Sequence, residues 1–70
     1  MDTYNLFRRK GRVPLYCAVP EFAAVPRFVT DRGWAFEGKI EAGANEPAGF
    51  DPAAAADGAR FNGYYLFQTV

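Results

Sequence analysis

The sequence predicts an α+β fold: a single small domain over residues 1–70, with a four-stranded, mostly antiparallel sheet and one main helix on one face. Three observations predict it. Residues 13–19 alternate with the period of a strand, Val13, Leu15, Cys17 and Val19 on one side and Pro14, Tyr16 and Ala18 on the other. Asp51-Pro52 opens an alanine run that closes at Asn62-Gly63, the start and stop signals of a helix. At 70 residues and 50% apolar, the chain can fill one core and has no length for a second domain. The element order is strand, strand, short helix, strand, helix, strand.

Thr3 to Arg9 is the first strand and Val13 to Val19 the second, joined by a hairpin turn at Arg9-Lys10-Gly11-Arg12. An even-length turn sets Leu6 opposite Leu15 and Tyr4 opposite Cys17, all on one face. A three-residue turn with Gly11 left-handed would set Leu6 against Pro14, and the apolar pattern selects the first register. Pro14 has no N–H, so the second strand begins at an edge or a bulge. Pro20 ends that strand. Pro26 suits the first turn of a short helix to Asp31, stopped by Gly33, with Phe22, Phe28 and Val29 as its anchors to the core.

Trp34 to Ile40 is the third strand, with Trp34, Phe36 and Ile40 inward and Ala35, Glu37 and Lys39 toward water. Glu41 to Gly49 reads as a mobile loop. In the helix over residues 51–62, Asp51 accepts from the first free amides and Pro52 sits where a missing N–H costs nothing. Gly58 weakens this helix by about 1 kcal/mol, and Arg60 complements its C-terminal dipole. The last strand, Tyr64 to Val70, is apolar on both faces, Tyr64 and Leu66 on one and Tyr65 and Phe67 on the other. One helix cannot cover both, so one sheet face should be under-covered and aromatic. The expected core is Leu6, Leu15, Val19, Trp34, Phe36 and Ile40 beneath the helix.

Composition narrows the function. Leu, Ile, Val and Phe number 16 of 70 with no net charge, too apolar for a disordered chain. One Cys cannot form an internal disulfide, and one Cys without His excludes a structural zinc site. Without His or Ser, the triads of nucleophilic catalysis are excluded, and the chain reads as no enzyme, with no cofactor and no metal. Cys17, between Leu15 and Val19, reads as an inert buried thiol. The longest apolar runs fall well short of the roughly 18 residues a membrane span needs. Acidic Asp2 precedes, and Arg8-Arg9-Lys10 follows, the first apolar residues, the reverse of an export signal. A reduced thiol and this N-terminus point to the cytoplasm. Six Arg against two Lys and twelve Ala match a GC-rich bacterial source. A 70-residue chain buries only about 60% of its unfolded surface, so self-association is an available aid to stability.

Two surfaces carry the functional expectation. Arg8, Arg9, Lys10 and Arg12 hold half of the chain's eight positive charges around one turn. In the preferred register Phe7, Arg9, Arg12 and Tyr16 share the face opposite Leu6 and Leu15. Rings beside cations on a sheet face are what single-stranded nucleic-acid binders use, the bases stacking and the cations following phosphates. A solvated, charged hairpin tip is the plainer account, and zero net charge favours it. The run Asn62-Gly63-Tyr64-Tyr65-Leu66-Phe67 is similar to the aromatic strand motif of RNA-recognition folds. That motif belongs to an internal strand of a βαββαβ chain, whereas this strand is terminal and the chain opens with a hairpin. A helix-to-strand turn entering a core strand accounts for it.

The expected function is a small binding or assembly module acting through an aromatic sheet face, with a homodimer as one form. Its partner would be a protein, itself or another chain. The alternative is a weak binder of single-stranded nucleic acid or anions. Phe7, Arg9, Lys10, Arg12 and Tyr16 are the candidate contact residues for either partner.

Overall fold

A computed structural model describes residues 3–69 of the chain. Its elements are β1 (Thr3–Arg9), β2 (Leu15–Pro20), a 3-10 helix (Arg27–Thr30), β3 (Trp34–Glu41), α1 (Pro52–Asn62) and β4 (Tyr65–Gln68). The strands form one antiparallel sheet in the order β3-β1-β2-β4, so the α+β expectation holds. The expectation of strand to the chain end includes Val70, outside the described residues.

Local chemistry sets the helix. Asp51 caps it, its carboxylate accepting from the N–H groups of Ala53 and Ala54 at 3.0 and 3.3 Å. Pro52 occupies the first turn, and Gly63, left-handed at φ 86°, donates to the Ala59 carbonyl. Its sheet-facing side is small, with Ala55 buried and Ala59 half-buried, so the helix lies close to the strands. A side chain at Gly58 would lie 3.0 Å from the Tyr64 carbonyl oxygen, which explains a helix-weakening residue at that point.

Rings from the sheet fill the space over these alanines. Tyr4, Leu6, Ala18, Ile40, Phe50, Ala55 and Phe67 form the buried cluster beneath α1. Phe50 meets Tyr4, Tyr65 and Phe67 edge-on, with centroids 5.7, 5.7 and 5.4 Å away. Of residues 41–49, expected to be a mobile loop, Glu41 ends β3 and the others form a loop with turns at 42–44 and 48–49. The Asn45 side chain accepts from the Glu41 N–H and the Glu46 carboxylate from the Gly43 N–H, both at 2.6 Å.

The β1–β2 register differs from the expected one. Leu6 pairs with Ala18, Phe7 with Cys17 and Tyr4 with Pro20, so Leu6 does not face Leu15, nor Tyr4 Cys17. The connection is longer than a four-residue turn. The Leu15 N–H donates to the Val13 carbonyl at 2.8 Å, folding the chain about Pro14 and withdrawing Val13 from the ladder. The apolar pattern misled because both faces of this sheet are covered, so a burial argument for one face selects no register.

The second correction lies in β3. Leu6 pairs with Gly38 but Phe7 with Phe36, so Glu37 is one extra residue, a β-bulge. Gly38 takes φ 143°, a backbone region that side-chain-bearing residues rarely adopt. The bulge reverses the alternation. Ile40 points beneath α1, whereas Trp34 packs against the cluster on the other face and Phe36 is 60% exposed. The expected core therefore survives only at Leu6 and Ile40. Val19 is buried on the opposite face, and Leu15 is half-buried.

That opposite face is covered by the segment between β2 and β3. Cys17, Val19 and Val29 are its buried members, with Phe7, Ala23, Trp34 and Tyr64 packed around them. Phe28 lies edge-on to Trp34 and Tyr64 at 5.7 and 5.1 Å. Phe22, expected to anchor this segment, is instead 96% exposed. The last strand alternates as expected, Phe67 beneath α1 and Leu66 beside Cys17 on the other face.

Candidate binding surface

The candidate contact residues do not form one face. Phe7 lies on the side away from α1, edge-on to Phe36 with centroids 5.6 Å apart. Two residues along β1 on the same side comes Arg9, paired with Trp34. Tyr16 is on the α1 side, stacked on Phe67 at 5.5 Å and 19°, because the observed register sets it opposite Arg8 and not beside Phe7. Lys10 and Arg12 belong to the β1–β2 connection, where Arg9, Lys10, Gly11, Arg12 and Val13 line a shallow cleft of about 210 Å³.

The structure brings together a different set. Trp34 and Phe36 on edge strand β3 and Phe7 on the neighbouring strand β1 make an aromatic corner, with Arg9 adjoining. The Lys10 N–H donates to the Gly33 carbonyl at 2.7 Å and ties the turn before β3 to the end of β1. This carries Arg32 to the same end of the sheet as Arg8, Arg9, Lys10 and Arg12. Among the described residues, the two ion pairs are Lys39–Glu21 and Asp57–Arg60, and neither involves these five cations. The Asp31 carboxylate, beside them, accepts from the backbone N–H of Arg32. Glu21 and Glu41 stand at the far ends of the strands, where the Glu21 N–H donates to the Thr3 carbonyl and Glu41 pairs with Thr3. Zero net charge thus hides a molecule with a basic end.

Sequence reasoning weighed Trp34 and Phe36 as a partner hot spot but placed them in the core, and it read Arg32 as an ordinary solvated charge. A signal existed for the first two: a Gly inside a strand pattern marks a bulge, and Gly38 is that Gly. Arg32 had none, because its approach depends on the long-range pairing of β1 with β3 and on the bond from Lys10 to Gly33.

Cys17 is fully buried, and desolvation of its thiolate pushes the thiol up to about 11. Among the described residues no group of His, Cys, Asp and Glu could hold a metal, and no buried side-chain polar atom lacks a partner. No described helix is long and apolar enough to cross a membrane. No protein-family model matches the chain, and no curated protein or solved structure is similar to it.

Proposed function

We propose that this protein is a small binding module whose working surface is the aromatic corner of Trp34, Phe36 and Phe7, and whose partner is an extended, acidic segment of another protein. The observation that carries the reading is Phe36, 60% exposed on an edge strand and seated against Phe7 beside Arg9. An edge strand offers unpaired backbone groups to an added strand, and alternate side chains of that strand would lie on the corner. Lysine, charge and a bulge blunt such an edge. In β3 those devices, Glu37, Gly38 and Lys39, are confined to the stretch beyond Phe36, which leaves Trp34 to Phe36 open. Carboxylates on the added segment would meet Arg9 and Arg32.

The test is a titration of the labelled protein with a peptide alternating Glu and Leu, followed by NMR. Amide shifts should concentrate at residues 34–36 and 7–9, and Phe36→Ala should abolish them without unfolding the protein. Shifts absent from both stretches would overturn the reading.

One observation favours a second reading, the binding of single-stranded nucleic acid. The five cations at the basic end are free of ion pairs and lie near the exposed ring of Phe36 and the half-buried rings of Phe7 and Trp34, the combination that follows a phosphate backbone and stacks bases. An oligothymidylate titration decides. Each phosphate contact adds about −0.7 to the slope of log affinity against log salt, so Arg9→Gln with Arg12→Gln should lower the slope by about one to two units. Absence of oligonucleotide affinity at physiological salt removes this reading and leaves the first standing.

A further inference from the structure

On the opposite, α1 side of the molecule, a groove of about 430 Å³ runs between the helix and the ends of β1 and β2. Its size falls in the roughly 300–1,000 Å³ range of sites that enclose organic groups. Tyr4 and Pro20 from the strands and Ala56 and Ala59 from the helix make its walls largely apolar. Phe22 stands at its lip, 96% exposed. Two backbone bonds of 2.9 Å hold the turn that presents this ring, Glu21 N–H to the Thr3 carbonyl and Ala23 N–H to the Pro20 carbonyl. A large ring on a fixed turn loses little freedom on docking. Among the described residues, neither buried cluster of the core includes it.

The two sides of the groove carry opposite charge. Glu21 lies on the strand side and Arg60 on the helix side. Arg60 is exposed and Glu21 half-buried, and each is engaged in a surface pair, Glu21 with Lys39 at 2.6 Å and Arg60 with Asp57 at 3.2 Å, weak enough to exchange. A twofold axis running along the groove would set each Glu21 against the other copy's Arg60, and each Phe22 over the other copy's apolar walls. One patch then serves as anchor and receptor at once, the self-complementarity a twofold interface requires.

We propose that the groove and Phe22 form the interface of a reversible homodimer, each copy inserting its Phe22 into the other. An interface this limited, at or below about 1,200 Å² in total, belongs to weak and concentration-dependent association. The proposal does not rest on the aromatic corner, which remains exposed in such a dimer.

Sedimentation across micromolar to millimolar concentration tests it. The wild-type protein should shift from monomer to dimer, and Phe22→Ala should raise the dissociation constant at least tenfold while Phe36→Ala leaves it unchanged. Glu21→Arg and Arg60→Glu should each weaken self-association. An equimolar mixture of those two variants should associate at least as well as the wild type, since every cross-interface pair is then attractive. Circular dichroism checks that each variant is folded. A wild-type monomer at millimolar concentration would overturn the proposal. So would a dimer indifferent to Phe22→Ala, or charge variants that fail to complement each other.

Discussion

The two faces of the sheet are built by different means. On one, a capped helix brings small residues against the strands, and the rings of Tyr16, Phe67, Tyr65, Phe50 and Tyr4 make an unbroken chain of contacts. On the other, an irregular connection with a single 3-10 turn covers the centre through Val29 and leaves Phe36 and Leu66 at the margins, 60% and 42% exposed. A helix buries a continuous stripe because its side chains recur on one face at a fixed period. A connection touches the sheet where a few residues happen to reach it. The first face is therefore the more continuously packed, and the second leaves more apolar surface exposed at its margins.

That contrast is broken most directly by substitution. Phe50→Ala removes the ring at the centre of the aromatic chain and should cost about 3–5 kcal/mol in chemical denaturation. For a domain this small that is enough to unfold much of the population. A midpoint close to the wild type would mean that α1 does not anchor this face.

The next effect belongs to the opposite face and depends on pH. The buried Cys17 thiol stays protonated up to about 11, against an ordinary 9.0. Below pH 9 it is neutral in both folded and unfolded chains and contributes no pH dependence. Between pH 9 and 11 only the unfolded thiol ionises, so stability should fall by about 1.4 kcal/mol per pH unit, and the fall should cease above pH 11. The difference in stability between the wild type and Cys17→Ala isolates this term from tyrosine ionisation. A difference constant from pH 8 to 11 would show that the centre of this face is wet. The same burial predicts slow labelling by thiol reagents in the native state.

Val29→Ala should cost about 2 kcal/mol, less than Phe50→Ala, because it loses two buried methyl groups and no ring. Equal costs would make the two faces equal partners in stability. The smallest effect sharpens the comparison further. Phe36→Ala should change stability by less than about 0.5 kcal/mol, as exposed substitutions do. A larger loss would turn its contact with Phe7 into core packing and remove the proposed binding corner.

Element identity was legible from residues because it is a local property. Asp51 and Pro52 start a helix through backbone groups a few residues away, and Gly63 ends it the same way. The alternation of Tyr64 to Phe67 needed no knowledge of the rest of the chain. Facing was another matter. The alternation from Trp34 to Ile40 is unbroken in sequence, yet an extra residue at Glu37 puts its two ends on opposite faces. Tyr16 fell out of the candidate surface for a similar reason, since the turn around Pro14 moved every residue of β2 relative to β1.

The sequence by itself determined the α+β class, the span and capping of the helix, the burial of Cys17 and the gathering of cations around residues 8–12. Each depends on covalent neighbours or on composition. Only the tertiary structure decided the strand register, the bulge in β3, the return of Arg32 to the basic end and the pairing of Phe22 with a groove. These depend on contacts between segments far apart in the chain, where several registers bury similar apolar area and long-range backbone bonds select among them.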